Sequence, residues 1–445
     1  MRQFQSTIAI YALLTAACLT LVEGVSRPIS FVWFAVVFTG ICVWIWWTGE
    51  PTLAANPPIL ASTLLIWFAL TISFLSSPNI SGLLRLGAFI GISGGLIFGF
   101  SNVFNPANVY RAVAWVGASV TLISLPTVFV GELGPLGVWR TATLFGVSYS
   151  IPLSVFDNPN TLGLIAAVGA TGAAGEVLSA RSTVSKVDNS QEIIVDGVIA
   201  EVLLVICTLG VVFSTGRGAL LALVVGVGIL LFIYGFGRDI AAIATVCGGL
   251  VLVGAIAIAA HLLPGPEIFQ NIDLSGRGVL WRSVIQAVGE RPLFGFGPGA
   301  TDDALSQFVP EDSGYVGVAP HSSYFRMFFI GGIVGGIGYL SLCVSALRRA
   351  LIDATPQGAT TAAMIVAIFV MLIFEGVTVF GLHPVSVMGA LTIGFVQLSD
   401  RTTRSICLSW DSLPPKIDAA VQNSFLRTIA ENSHLFGVVN RRRNR

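Results

Sequence analysis

Three residues in this sequence have types and settings suited to chemistry on an anionic substrate: Arg217, Arg277 and His321. Arg217 lies in Ser214-Thr215-Gly216-Arg217-Gly218, between two apolar runs with no obvious local acidic partner. A guanidinium beside hydrocarbon is costly unless it meets an anion or water. A topology-setting arginine would belong on the inner membrane side, whereas the arginine distribution puts this one outside. Arg277 has the same kind of flanks, Gly276 and Gly278. They let a phosphate approach backbone and guanidinium together, and the planar fork grips phosphate oxygens in pairs. His321, one of four histidines, stands in Pro320-His321-Ser322-Ser323-Tyr324, just where an apolar run begins. An imidazole titrates near neutral pH and serves as a general base or as a donor to phosphate. Cation and histidine at the two ends of one loop are what a site for an anionic lipid requires.

A second group of residues is suited to support. Arg282 follows Arg277 closely. Glu375, near the outer end of an apolar run, suits orienting an arginine or taking a proton. Asn158 and Asn160, in Asp157-Asn158-Pro159-Asn160, suit a helix cap and turn, with contact to a sugar hydroxyl as the other reading. Arg85 and Arg140 also fall on the outer side as further substrate contacts. His383 precedes Pro384 in a tight turn and reads as structural. Asp302-Asp303 has no neighbour at ligand spacing, so no metal site is expected, and with no nucleotide motif no cofactor is expected either.

The elements that position these residues follow from composition. Hydrophobic residues make up 54% of the 445-residue chain and charged residues 10%, against roughly 25% charged in soluble domains. Such a chain belongs in lipid, and zero formal net charge suggests no nucleic-acid partner. Apolar runs predict about twelve spans: Thr7–Val22, Ile29–Trp47, Ile59–Leu75, Leu83–Phe100, Tyr110–Val130, Leu162–Leu178, Ile194–Phe213, Ala219–Phe236, Ile240–Leu263, Tyr324–Leu347, Ala359–Phe380 and Pro384–Leu398. Leu162–Leu178 is Gly/Ala-rich and only weakly hydrophobic. Gly131–Asn160 reads as a loop. The 49 glycines, Gly331-Gly332 and Gly335-Gly336 among them, read as close helix packing. The six cysteines are scattered and form no disulfide or zinc pattern.

The long stretch Ser275–Met327 separates the ninth and tenth runs. Leu280, Val284 and Val288 recur at i, i+4, i+8, with Trp281 and Ile285 paired likewise, which predicts a short amphipathic helix that Pro292 ends. Gly295-Phe296-Gly297-Pro298-Gly299 then predicts a tight turn. Arginine counts place both termini in the cytoplasm and the long loop outside. The expected division is a polytopic membrane domain over 1–400, with an extracytoplasmic loop at 264–323, and a cytoplasmic tail over 401–445.

In order along the chain, Phe156-Asp157-Asn158-Pro159-Asn160-Thr161-Leu162-Gly163, Ser214-Thr215-Gly216-Arg217-Gly218-Ala219, Ser275-Gly276-Arg277 with Trp281-Arg282, Glu290-Arg291-Pro292-Leu293-Phe294-Gly295-Phe296-Gly297-Pro298-Gly299 and His321-Ser322-Ser323-Tyr324 resemble the O-antigen ligase and polymerase superfamily. The resemblance covers roughly Phe145 to Phe395. It implies an all-α, GT-C-like integral membrane protein of about twelve transmembrane helices, in the plasma membrane, with the large extracytoplasmic loop over a lipid-facing cavity. It implies metal-independent transfer of a glycan from a polyprenyl diphosphate carrier to the hydroxyl of a lipid, glycan or protein acceptor, among membrane lipids. Arg217 and Arg277 would then bind the diphosphate and His321 would sit at the reacting centre. Ser322 stands where the family's histidine motif usually has asparagine. A repeat-unit polymerase of the same superfamily is the neighbouring reading. A transporter or flippase for a lipid-linked or anionic solute is the alternative from another class; it would predict an internal repeat and broken helices in matching halves.

Overall fold

The computed structural model describes residues 2–22, 25–48, 52–134, 136–144, 147–156, 158–184, 191–300, 302–353, 355–398 and 404–407. The expected tail lies outside these but for its short strand, as do Asp157 and Thr301. The chain is mostly helical. Among the described residues nine α-helices precede the long loop: α1 (Arg2–Leu19), α2 (Arg27–Trp47), α3 (Pro57–Ser76), α4 (Ile80–Ser93), α5 (Pro106–Val130), α6 (Pro159–Val184), α7 (Gln191–Ser214), α8 (Arg217–Phe236) and α9 (Arg238–Ala259). Three short helices lie in the loop: α10 (Glu267–Gln270), α11 (Arg277–Glu290) and α12 (Asp302–Ser306). Then follow α13 (Ser323–Ile352), α14 (Pro356–Phe374) and α15 (Pro384–Leu398). Among the described residues ten helices are long and apolar enough to cross a membrane, with shorter apolar helices at Gln5–Leu19 and Pro384–Gln397. The chain is a polytopic membrane protein.

Two strand pairs join the helices: β1 (Thr52–Ala55) with β4 (Arg404–Cys407), and β2 (Gly137–Leu144) with β3 (Val147–Ser154). The second pair lies inside Gly131–Asn160, where the sequence predicts only a loop. It packs on the end of α7 through Tyr149 and Phe213, whose ring centres are 5.7 Å apart. Its last strand delivers the chain to Asn158 and the start of α6.

Helix α6, the weakly hydrophobic run, is the central helix. Every residue from Thr161 to Gly175 is buried. Small side chains let neighbours approach: a Cβ on Gly169 would touch the Val113 carbonyl of α5 and Cys207 of α7 at 3.1 Å. Lipid-facing helices need apolar bulk, whereas a central one needs smallness. Helix α9 is the converse, with only Ala241 and Ala259 buried.

Helix α13 is broken. Gly332 has φ 62° and ψ −162°, a conformation open in practice to glycine alone. The glycine-rich turn and the residues just ahead of it fill the break. Phe296 N and Gly297 N donate to the Phe329 and Ile330 carbonyls, each at 2.9 Å, while Ile333 N and Val334 N donate to the Pro292 and Leu293 carbonyls at 2.7 and 3.2 Å. The loop thereby satisfies the backbone groups that the break releases. Gly331-Gly332 is therefore more than a packing pair, although Gly335 and Gly338 do lie against Ala69 and Ile66 of α3.

One boundary and one helix face are corrected. The run Ala359–Phe380 leaves the helix at Phe374, because Glu375 takes up an extended backbone. Ile285 stands 50% exposed, while Leu280, Trp281, Ser283, Val284 and Ala287 face inward on α11.

Candidate active site

The segment Phe374–Val377, where α14 gives way to extended chain, is held residue by residue. The Phe374 carbonyl accepts from Arg277 Nε at 3.0 Å. Glu375 Oε1 accepts from Asn160 Nδ2 at 3.2 Å and lies 3.7 Å from Arg277 Nη2, an ion pair rather than a hydrogen bond. The Gly376 carbonyl accepts from Arg326 Nη1 at 3.0 Å, and the Val377 carbonyl from Ser323 Oγ at 2.8 Å. Four elements, α6, α11, α13 and α14, thus meet at four consecutive residues.

Arg217 and Arg277 are each the first residue of a helix, α8 and α11. Gly216 and Gly276 precede them, and neither helix start is capped by a side chain. Helix N-termini present unpaired N–H groups and positive potential, so each arginine adds charge where an anion is already favoured. The two are joined through the loop. Arg217 Nη2 donates to Asp273 Oδ2 at 2.9 Å and to Ser275 Oγ at 3.1 Å, and Nη1 donates to the Asp273 carbonyl at 3.2 Å. Ser275 stands two residues before Arg277. Asp273 is the acidic partner that sequence reasoning missed; the chain brings it to Arg217 from 56 residues away. No local pattern marks such a pair. Hydrogen bonding from Arg217 holds the Asp273 carboxyl below its ordinary value. Both side chains are more than two-thirds exposed, so the pair contributes little to stability and remains open to exchange.

Arg277 and Glu375 differ in being largely buried, with 19% and 14% of their side chains exposed. Burial pushes the Glu375 carboxyl up to about 7, against the pull of Arg277 and Asn160. Asn158 accepts from Asn160 N at 2.8 Å, the turn-and-cap geometry expected of it, and Asn160 alone of the two reaches Glu375.

His321 is half-buried and has φ 44°, a left-handed conformation uncommon for a residue with a side chain. Its neighbours hold it there. Trp281 Nε1 donates to the Pro320 carbonyl at 2.9 Å, and the indole stacks on Phe325 at 5.1 Å. A Cβ on Gly376 would stand 3.8 Å from His321 Cα, so the histidine backbone packs one residue along from Glu375. Arg282 points elsewhere: Nη1 donates to the Ala260 carbonyl at 2.6 Å and ties α11 to the end of α9. Arg140 is exposed on the hairpin. His383 Nδ1 accepts from Val385 N at 3.1 Å at the start of α15, and burial pulls the imidazole down to about 4, as befits a neutral cap.

The structure therefore brings Arg217, Arg277, Asn160, Glu375 and the His321 backbone into one neighbourhood. The arrangement offers two guanidiniums to an anion, with a histidine and a carboxylate close by.

Residues 202–340 match the family model described as O-antigen ligase. The matched stretch runs from within α7 through the long loop into α13, and so contains Arg217, Arg277, Arg282 and His321. Asn158, Asn160 and Glu375 lie outside it. No curated protein matches the chain.

Proposed function

We propose that the chain is a membrane glycosyltransferase of the O-antigen ligase type, moving a glycan from a polyprenyl diphosphate to an acceptor hydroxyl. The observation that carries this is the pairing of Arg217 and Arg277, each at an uncapped helix start and linked through Ser275, beside the segment on which His321 packs. The family match over 202–340 supports the class of reaction.

The chemistry follows from the leaving group. The acceptor oxygen attacks the anomeric carbon and the bond from that carbon to the diphosphate oxygen breaks. His321 takes the hydroxyl proton, and the diphosphate departs with the bonding electrons. Negative charge grows on the diphosphate in the transition state. Fixed charged donors there stabilise it without solvent reorganisation. Arg217, held by the exposed carboxylate and the carbonyl of Asp273 and by the Ser275 hydroxyl, exchanges the Asp273 carboxylate for phosphate. Arg277, anchored at Nε by the Phe374 carbonyl, keeps its remaining N–H groups for the same anion. Glu375 and Asn160 hold Arg277 in place. One in-line displacement inverts the anomeric centre. On this reading the reaction requires no metal, the site faces the extracytoplasmic side, and both termini lie in the cytoplasm, as the arginine distribution supports.

The break at Gly332 is a feature that transporters share, but its ends bond to Pro292, Leu293, Phe296 and Gly297 instead of facing a solute at the midplane. A reconstituted assay separates the two readings. Purified protein receives a polyprenyl diphosphate glycan and a panel of acceptors, with EDTA present, beside Arg217→Ala, Arg277→Ala and His321→Ala. A new glycosidic bond from wild type and none from equally folded variants is the expected result. Glycan lengthening without added acceptor would mean a repeat-unit polymerase. Glycan lipid crossing the vesicle membrane with no bond formed would sink the transferase.

A further inference from the structure

The chain between α12 and α13 crosses back over the start of α11, and Tyr315 is the side chain that lands there. Its ring and hydroxyl lie against Gly276, where an added Cβ would overlap both. Gly276 has φ 78° and is the residue from which Arg277 begins its helix. The ring thus covers the backbone one residue from a guanidinium assigned to the diphosphate. Tyr315 has no part in the chemistry proposed above.

Its surroundings hold it there. Gly314 and Gly317, with φ 72° and 81°, turn the chain on either side. Gly317 N donates to Ser306 Oγ at 2.7 Å, which ties the turn to α12, and Tyr315 N donates to Ser313 Oγ at 3.3 Å. From Tyr315 the chain follows α11 to Pro320, whose carbonyl accepts from Trp281, and His321 comes next. Tyr315 therefore stands at the Arg277 end of the stretch that delivers His321.

Tyr315 is half-buried, and among the described residues all its hydrogen bonds run through its backbone. A tyrosine offers an apolar ring and a polar tip, and the tip of a buried one usually finds a partner. A sugar fits both halves: its faces carry C–H groups for the ring, and its rim carries hydroxyls for the phenol. Position selects which sugar. The one bonded directly to a diphosphate at Arg277 comes closest to the ring that covers Gly276.

We infer that Tyr315 is a donor-binding residue that recognises the first sugar of the carrier lipid, stacking on its face and bonding one of its hydroxyls. This role rests on the diphosphate assignment of Arg277 made above.

Native mass spectrometry on the purified full chain in detergent, without acceptor, tests it. The probes are polyprenyl diphosphates carrying glucose, galactose, N-acetylglucosamine or N-acetylgalactosamine, beside the methyl ester of the same diphosphate, which has equal charge and no sugar. Tyr315→Ala should weaken the best-retained sugar lipid about tenfold, through loss of one stacked ring and one hydrogen bond, and leave the methyl ester bound as in wild type. Tyr315→Phe keeps the packing on Gly276 and should weaken the sugar lipid about threefold, again sparing the methyl ester. Arg277→Ala should weaken every lipid, the methyl ester included. If Tyr315→Ala weakened sugar lipid and methyl ester equally, the tyrosine would be a prop for the helix start and the sugar role would be overturned. Unchanged retention of both would overturn it too. In either case a methyl ester still weakened by Arg277→Ala would leave the diphosphate assignment standing. A methyl ester held equally by wild type and Arg277→Ala would remove that assignment, and the sugar role with it.

Discussion

Gly295 lies against the break in α13 at Gly332: a Cβ on Gly295 would stand 2.6 Å from the Gly332 nitrogen. Both glycines have positive φ, 64° and 62°. The loop that carries Arg277 and the helix that begins beside His321 are thus clamped backbone to backbone at these two glycines, where there is room for no side chain. Gly331→Ala and Gly332→Ala should behave oppositely. A methyl at Gly331 meets only Leu70 Cδ2 at 3.6 Å, ordinary contact. At Gly332 it meets the Leu293 backbone and an unfavourable φ/ψ, which costs at least ~2 kcal/mol from strain alone. Thermal unfolding in detergent should leave Gly331→Ala near wild type and lower Gly332→Ala clearly. Equal midpoints for the two would refute the clamp.

Trp281 tests how His321 is positioned. Trp281→Phe keeps an aromatic ring against Phe325 but removes the donor to the Pro320 carbonyl. A buried carbonyl left without its partner costs about 1–3 kcal/mol. Transfer activity should fall further than stability explains, through kcat and not the KM for donor, since the diphosphate contacts are untouched. A loss confined to KM would place Trp281 in binding instead.

Much of this was legible in the sequence, and the reasons are physical. Apolar runs name the spans because bilayer thickness fixes their length, yet of the twelve expected runs ten fall on described helices long enough to cross, while the first and last fall on shorter apolar helices. Glycine-flanked Arg217 and Arg277 were legible because their surroundings carry a local signal. Asp273 was not, since an acidic residue 56 positions away becomes a partner only through tertiary folding. The hairpin Gly137–Ser154 was missed because its alternation is broken by small and polar residues. The break at Gly332 was missed because a glycine pair that lets helices touch has the same sequence as one that lets a helix stop.

Arg217 and Arg277 should separate by stability. Arg217→Ala removes an exposed, solvent-screened pair, so unfolding should barely change while activity drops by about 10²–10³. Arg277→Ala abolishes comparable activity but also strands the buried Glu375 carboxylate, at a cost of about 3 kcal/mol or more above neutral pH. Adding Glu375→Gln to Arg277→Ala should restore most of the stability and none of the activity. A double variant no more stable than Arg277→Ala at pH 8 would mean the pair is not the source of the loss.

The pH dependence of Glu375 gives a sharper test, because its sign is fixed. Burial raises the carboxyl from 4.5 to about 7, so the folded state holds the proton more tightly than the unfolded state. The stabilising contribution is complete below about pH 4.5 and is lost as pH rises through 7, by on the order of 3 kcal/mol. Glu375→Gln mimics the protonated form and should be the more stable protein at pH 8, with the advantage vanishing near pH 4.5. Activity should run the other way. Ionised Glu375 holds Arg277, so wild type should lose activity as pH falls through about 7, beyond what His321 protonation causes. Glu375→Gln should be about tenfold less active at pH 8, as expected for loss of one charged partner, and its acid limb should show a single ionisation. Unchanged pH profiles for stability and rate in Glu375→Gln would remove the carboxylate from the site, leaving Arg277 to be held by the Phe374 carbonyl alone.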